Sequence, residues 1–241
     1  MTLLIFLFGD FIFLSDFINF DNLELEFNII KFEGVNLLIT ENHPSNNYLQ
    51  ELHALVKDVL TAFRDNSFYF SNENILGTHP GGKQVYIVFE CLLRGRKVAV
   101  KIYKPIITHL IVHTVATKYI LENAQEFDKS LTKFSINLAV PQTIALGHPT
   151  TDNFVPPISI LIQEWIGNSI EIHRVFPRDH VNIIRTIIKK LTSEKGFMVD
   201  IMSKNWLMTE NNKIMSYIDL ILFNPTGSIL EKIKNWTKKL E

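Results

Sequence analysis

Asp200, Asn205 and Asp219 are the side chains of this 241-residue chain whose types and spacing best suit chemistry. Asp219 sits inside the greasy run 217–223, where an unpartnered carboxylate is costly and a cation is a common partner. Asp200 stands ahead of the apolar run 206–208, and Asn205 follows it five positions on. That run and the next, 214–218, flank the polar stretch 209–213, which is the pattern of a β-hairpin. Such a hairpin can bring Asp200, Asn205 and Asp219 to one mouth. Two carboxylates and an amide on one edge suit a magnesium–phosphate site.

A lysine offers the complementary charge. Residues 75–93 read as strand, glycine-containing turn and strand, with Gly77, Gly81 and Gly82 in or beside the turn. Arg94-Gly95-Arg96 then turns the chain tightly into a third strand, 97–103. Alternation puts Val98, Val100 and Ile102 on one face and Lys97, Ala99, Lys101 and Tyr103 on the other. Lys101 therefore either meets phosphate oxygens across from the glycine turn or points to solvent. Residues 106–134 read as one long helix. Glu122 and Glu126 lie one turn apart on it, and either can pair with Lys101. His109 and His113 share that helix without a metal-binding motif between them, and read as ordinary helix residues.

The remaining elements must position these groups. Residues 2–40 read as several short strands, cleanly alternating at 23–27, with turns at Gly9-Asp10 and Glu33-Gly34. Apolar spacing predicts a helix over 48–63. A loop-then-strand pattern spans 140–146, and 149–157 is a turn-rich connection. A buried strand at 158–166 ends in Glu164-Trp165-Ile166, where Gly167-Asn168 breaks it. A helix follows over 179–195, capped by Asp179 and stopped by Gly196, and a last amphipathic helix covers 229–240.

Composition narrows the function classes. With 46% hydrophobic residues, the chain can bury the core of one large domain or two small lobes. A net charge of −1 makes no electrostatic case for nucleic acid. Cys91 is the single cysteine, which excludes intrachain disulfides and cysteine metal sites and suits a reducing compartment. Residues 1–8 are apolar, but Gly9, Asp10 and Asp16 break up the apolar stretch, and no Lys or Arg precedes it as in a signal peptide. No run approaches the ~20 apolar residues of a membrane span, so the expectation is a cytoplasmic protein.

Taken in order, the signals are glycine turn, Val-Ala-Val-Lys strand, acidic helix, strand-Glu-x-x-Gly, apolar helix, Asp-x4-Asn, hairpin and Ile-Asp. Over residues 75–223 this order resembles the protein-kinase-like fold, in its compact atypical branches such as the RIO kinases and the aminoglycoside-phosphotransferase-like enzymes. The resemblance implies an α+β, bilobal architecture: an N-terminal β/α extension at 1–70, a β-rich N-lobe with one long helix at 71–166, and a small, mostly helical C-lobe at 167–241. It implies ATP and Mg2+ as cofactors. Lys101 would hold the α- and β-phosphates with Glu126 as its helix partner, Glu122 being the alternative. Gly77, Gly81 and Gly82 would cover the phosphates, and Glu164, Trp165 and Ile166 would bind adenine through main-chain groups. Asp200 would take the acceptor's proton, while Asn205 and Asp219 would hold the metal.

The chain departs from the family in several places. The glycine loop is irregular and stiffened by Pro80. Met198 and Val199 stand where His and Arg or Gly are usual, Met202 where Lys or His is common, and Leu220-Ile221 where Phe-Gly follows the aspartate. The sequence also ends about where an activation segment begins in the family, which implies a truncated C-lobe that a partner protein can complete. The function implied is an atypical Ser/Thr protein kinase, with a nucleotide-binding pseudokinase scaffold or a small-molecule kinase as alternatives. The acceptor, whether a protein substrate or another hydroxyl, and the oligomeric state stay open.

Overall fold

Alternation in the first described strands is answered by apolar layers on both sides of a sheet. The computed structural model describes residues 23, 25–66, 73–150, 157–194, 196–200, 202–209 and 213–241. The side chains of Glu126, Phe127, Ser130, Leu191 and Ser203 are outside that description, as is the Gly9-Asp10 turn expected near the start. Strands β1 (Asn28–Phe32) and β2 (Val35–Ile39) pair as a hairpin through Glu33-Gly34, where Gly34 takes φ 84°. The strand expected at 23–27 is displaced. Leu23 and Leu25 are buried, but residues 25–27 have no pairing partner among the described residues, and the described ladder starts at Asn28.

Helix α1 (Asn46–Arg64) opens on Ser45, whose Oγ accepts the Tyr48 N–H at 3.2 Å, an N-cap of the usual kind. Its Leu52, Leu55, Val56 and Val59 are buried at the spacing the sequence predicts. Strands β3 (Ile75–Pro80), β4 (Val85–Leu93) and β5 (Arg96–Tyr103) form a meander. Arg94 and Gly95, at φ 53° and 72°, make the two-residue turn between β4 and β5, whose twist matches the flanking strands.

Residues 106–134 are not one helix. They form α2 (Ile107–Glu122), α3 (Ala124–Leu131) and a short 3-10 turn at Thr132–Phe134. The break falls at Asn123, whose side-chain amide donates to the Tyr119 carbonyl at 2.9 Å. Asparagine competes locally with helix continuation in this way.

Strands β6 (Asn137–Ala139), β7 (Thr143–Pro149) and β8 (Ser159–Glu164) come next. The main sheet is antiparallel throughout, in the order β1-β2-β7-β8-β5-β4-β3. One face packs on α1 through Val35, Leu37, Val100, Ile102 and Ile160. The other packs on α2 through Leu38, Tyr103, Leu146 and Leu161. The molecule is thus a mixed α+β fold built on a large antiparallel sheet.

Beyond β8 come β9 (Ser169–Glu171), α4 (Ile172–Val175) and α5 (Arg178–Glu194). Helix α5 starts one residue before Asp179, so Asp179 lies in the first turn, where its charge favours the helix dipole, rather than capping from outside. Gly196, at φ 71°, lies just past its end. Strand β10 (Phe197–Met198) leads through a 3-10 turn, Ser203–Asn205, to β11 (Trp206–Thr209) and β12 (Ile214–Tyr217), the hairpin expected from the sequence. A four-stranded sheet runs β6-β12-β11-β9, and β10 pairs with β13 (Leu222–Phe223). Helix α6 (Gly227–Leu240) returns across α2, β1 and β2. There the Asn36 amide donates to the Leu240 carbonyl at 2.8 Å, and the Trp236 ring lies 4.7 Å from Phe27.

Candidate active site

Lys101 lies near the middle of β5, on the face away from α1, and is only 8% exposed. The alternation of the strand put it there, and burial makes its charge expensive. Its Nζ donates to the Ile218 carbonyl at 2.5 Å. Burial lowers its pKa to about 8, against the pull of the nearby Asp219 carboxylate. Lys101 therefore does not point to solvent. It faces the segment that follows β12.

That segment carries Asp219. The residue stands two positions beyond the end of β12 rather than at the strand's last position. Asn205, at the entrance to β11, donates from Nδ2 to Asp219 Oδ2 at 3.1 Å, and its carbonyl accepts the Ile218 N–H at 3.0 Å. The other carboxylate oxygen accepts the Leu220 N–H at 2.8 Å. The hairpin thus brings Asn205 and Asp219 together at one mouth, beside Lys101.

Asp200 is exposed at the same mouth. Its Oδ1 accepts the Met202 N–H at 2.9 Å. Its own N–H donates to the Tyr217 hydroxyl at 2.8 Å, and that hydroxyl donates to the Leu220 carbonyl at 3.2 Å. Tyr217 therefore ties the Asp200 loop to the Asp219 loop. Burial, with Asp219 and Asp200 nearby, holds its phenol well above the usual value.

Two further residues reach this cluster. His113, on α2 and 3% exposed, accepts the Ile221 N–H on Nδ1 at 3.0 Å. Burial, and secondarily the Lys101 charge, lowers its pKa to about 3, so the ring is neutral. Tyr103, two residues along β5 from Lys101, buries a hydroxyl without a hydrogen-bond partner among the described residues. Burial, with Asp219 and Tyr217 nearby, raises its pKa. In the sequence His113 reads as an ordinary helix residue, and Tyr103 is placed only on the Lys101 face of its strand. His113 lies with Thr114 inside the otherwise apolar run 110–116, and its partner is 108 residues away.

The expected carboxylate partner of Lys101 is not on view. Glu122 is exposed at the end of α2 and makes no ion pair with Lys101, while the Glu126 side chain is outside the described residues. Of the three glycines expected to cover the phosphates, Gly81 is the one demanded by the backbone: a Cβ there would fall 1.9 Å from the Val85 carbonyl oxygen. Gly77 on β3 and Gly82 in the turn both face open space. The β3–β4 hairpin reaches the segment after β8 through His79, whose ring lies 5.1 Å from that of Trp165.

Where β8 ends, the Glu164 N–H donates to the Gln142 carbonyl, the Glu164 carboxylate accepts the Gln142 N–H, and the Trp165 N–H just beyond donates to the Lys97 carbonyl. Ile166 presents its carbonyl to Ser169 Oγ, and among the described residues its N–H has no partner. Two surface hollows lie away from all these groups. One of about 680 Å3 is lined by β1 and α6, and one of about 350 Å3 sits beside α4 and α5.

A divalent cation fits the donor set. Asp219 offers one carboxylate and Asn205 an amide, whose oxygen replaces its nitrogen by a half-turn about the last side-chain bond. Among the described residues no group of three His, Cys, Asp or Glu side chains forms a cage. Magnesium does not need one, since it takes one or two carboxylates and completes its shell with water and substrate phosphate.

No protein-family model matches the sequence, and no curated protein matches it significantly. Among solved structures, WaaP in complex with acyl carrier protein is similar at a TM-score of 0.37 and 14% identity, over 68% of this chain and 68% of that one. The BubR1 kinase domain is similar at 0.33 and 14% identity, over 73% of this chain and 60% of that domain. Likenesses this slight carry no weight for function. Among the described residues no helix is long and apolar enough to cross a membrane.

Proposed function

We propose that this chain is an ATP- and magnesium-dependent phosphotransferase of kinase-like fold, acting as an atypical Ser/Thr protein kinase in the cytoplasm. The observation that supports it is the meeting of Asn205 with Asp219 beside a buried lysine, Lys101, with Asp200 on the adjoining loop. In this reading residues 71–166 form the nucleotide-side lobe, 167–241 the acceptor-side lobe and 1–70 an extension. The Ile166 N–H and neighbouring main-chain groups take the base, and the turn carrying Gly77, Gly81 and Gly82 covers the phosphates. Lys101 turns its ammonium to hold phosphate oxygens. Asn205 and Asp219 hold magnesium, which neutralises charge on the transferring group. The acceptor hydroxyl oxygen bonds to the γ-phosphorus as the bond to the β,γ-bridging oxygen breaks, ADP leaves, and the hydroxyl proton passes to Asp200.

A second reading, a nucleotide-binding scaffold that acts through a protein partner, is favoured by one observation. Lys101 is engaged with a main-chain carbonyl, with Glu122 turned to solvent. Labelled ATP with magnesium and a generic Ser/Thr substrate separates the two. Phosphate incorporation that disappears in Asp200→Ala supports the enzyme. No incorporation, alongside a melting temperature raised by nucleotide, supports the scaffold.

A further inference from the structure

The main chain around Asp219 is held from two sides by buried groups of other elements. On one side Lys101 of β5 donates to the carbonyl of Ile218, and on the other His113 of α2 accepts the N–H of Ile221. Asp219 lies between the two anchors. They are not equivalent once a nucleotide arrives. A lysine whose ammonium turns to phosphate oxygens loosens its hold on the Ile218 carbonyl, because its three N–H donors are then divided between the two. His113 has no such second use. Its ring is almost wholly buried, and Nδ1 is already occupied by Ile221.

We infer that His113 is a positioning residue: it fastens the Asp219 loop to α2 and keeps Asp219 against Asn205 when Lys101 moves to phosphate. This deepens the phosphotransferase reading and rests on it. It also makes α2 part of the magnesium site without any carboxylate of that helix taking part, since a shift of α2 would pull Ile221 and, two residues before it, Asp219. The other holds on the loop, from Asn205 to Ile218 and Asp219 and from the Tyr217 hydroxyl to the Leu220 carbonyl, come from the hairpin and its entrance and not from the helix.

The test uses the full chain with two variants. His113→Asn sets a side-chain oxygen close to the position of Nδ1, and His113→Leu fills the space without an acceptor. Hydrogen exchange of the 218–223 segment in the nucleotide-free protein reads the anchor itself. The leucine variant should exchange there roughly tenfold faster, as for one lost hydrogen bond, and the asparagine variant close to the parent rate. Nucleotide affinity with magnesium and with chelator reads the consequence. The leucine variant should lose affinity only in the presence of magnesium, again by roughly tenfold, and asparagine should restore it. Unchanged exchange in the leucine variant overturns the anchor whatever the nucleotide data show. Faster exchange in that variant, alongside a parent protein whose nucleotide affinity ignores magnesium, overturns the phosphotransferase reading and the metal-positioning role with it. If the leucine variant fails to fold, His113→Gln takes its place. Its longer amide cannot present an acceptor at the Nδ1 position, and parental exchange in that variant contradicts the inference.

Discussion

Burying Lys101, His113, Tyr103 and Asn205 around one carboxylate costs solvation that only specific partners offset. For His113 that cost has a measurable sign. The free imidazole titrates near 6.5, and in the folded chain burial and Lys101 bring it down to about 3. Between those values the unfolded chain binds a proton that the folded chain refuses. Stability from this residue is therefore complete above pH 6.5 and is lost as pH falls toward 3. The slope approaches about 1.4 kcal/mol per pH unit. Urea unfolding at about pH 7 and about pH 5 should show the parent losing about 2 kcal/mol relative to His113→Asn over that interval. A difference that does not change with pH contradicts the buried neutral ring. At this scale the sequence exposed half of the cluster. Lys101 could be placed on a face by alternation, and Asp219 was conspicuous as a carboxylate in an apolar run. The roles of His113, Tyr103 and Tyr217 were not legible, because an uncharged polar group in a greasy segment, unlike a carboxylate, looks the same whether its partner is distant or absent.

Among the elements, the β3–β4 hairpin makes the clearest demand on one residue. Gly81 permits the turn to close against the Val85 carbonyl, whereas Gly82 borders open space. Gly81→Ala should force the backbone apart at a cost of about 1–3 kcal/mol. Gly82→Ala should stay within about 0.5 kcal/mol of the parent. Chemical denaturation of the two variants checks this, and equal stabilities would contradict the described turn. The hairpin at 206–217, the helix at 48–63 and the strand of Lys101 were legible because each is specified by a local period. The break at Asn123 was not, since drifting apolar spacing continues through it while a side-chain bond to Tyr119 ends the helix. The β10–β13 pairing and the small sheet that joins β6 to β12 were also hidden, being short and non-local.

Across the whole molecule, three layers hold the two halves of the candidate site at fixed separation. Helix α1 covers one face of the large sheet, and α2 with α6 covers the other. Helix α2 also packs on β13, so the layer beneath Lys101 carries the loop that holds Asp219. The return of α6 to β1 and β2 locks the earliest described strands to the last helix, through Asn36 and Leu240 and through Phe27 and Trp236. Composition and element order pointed to an α+β fold. They did not reveal that return, because nothing local in an amphipathic helix names the surface it will cover.

The central claim is that Lys101, Asn205 and Asp219 face one another as a nucleotide–magnesium site. Calorimetric titration of ATP into the full chain, with magnesium and with chelator, tests it most directly. The parent should bind more tightly with magnesium, and Asp219→Asn should lose about tenfold to a hundredfold of that affinity while keeping its magnesium-free binding. Parent binding that is indifferent to magnesium, or an Asp219→Asn protein that binds magnesium–ATP as tightly as the parent, would contradict it.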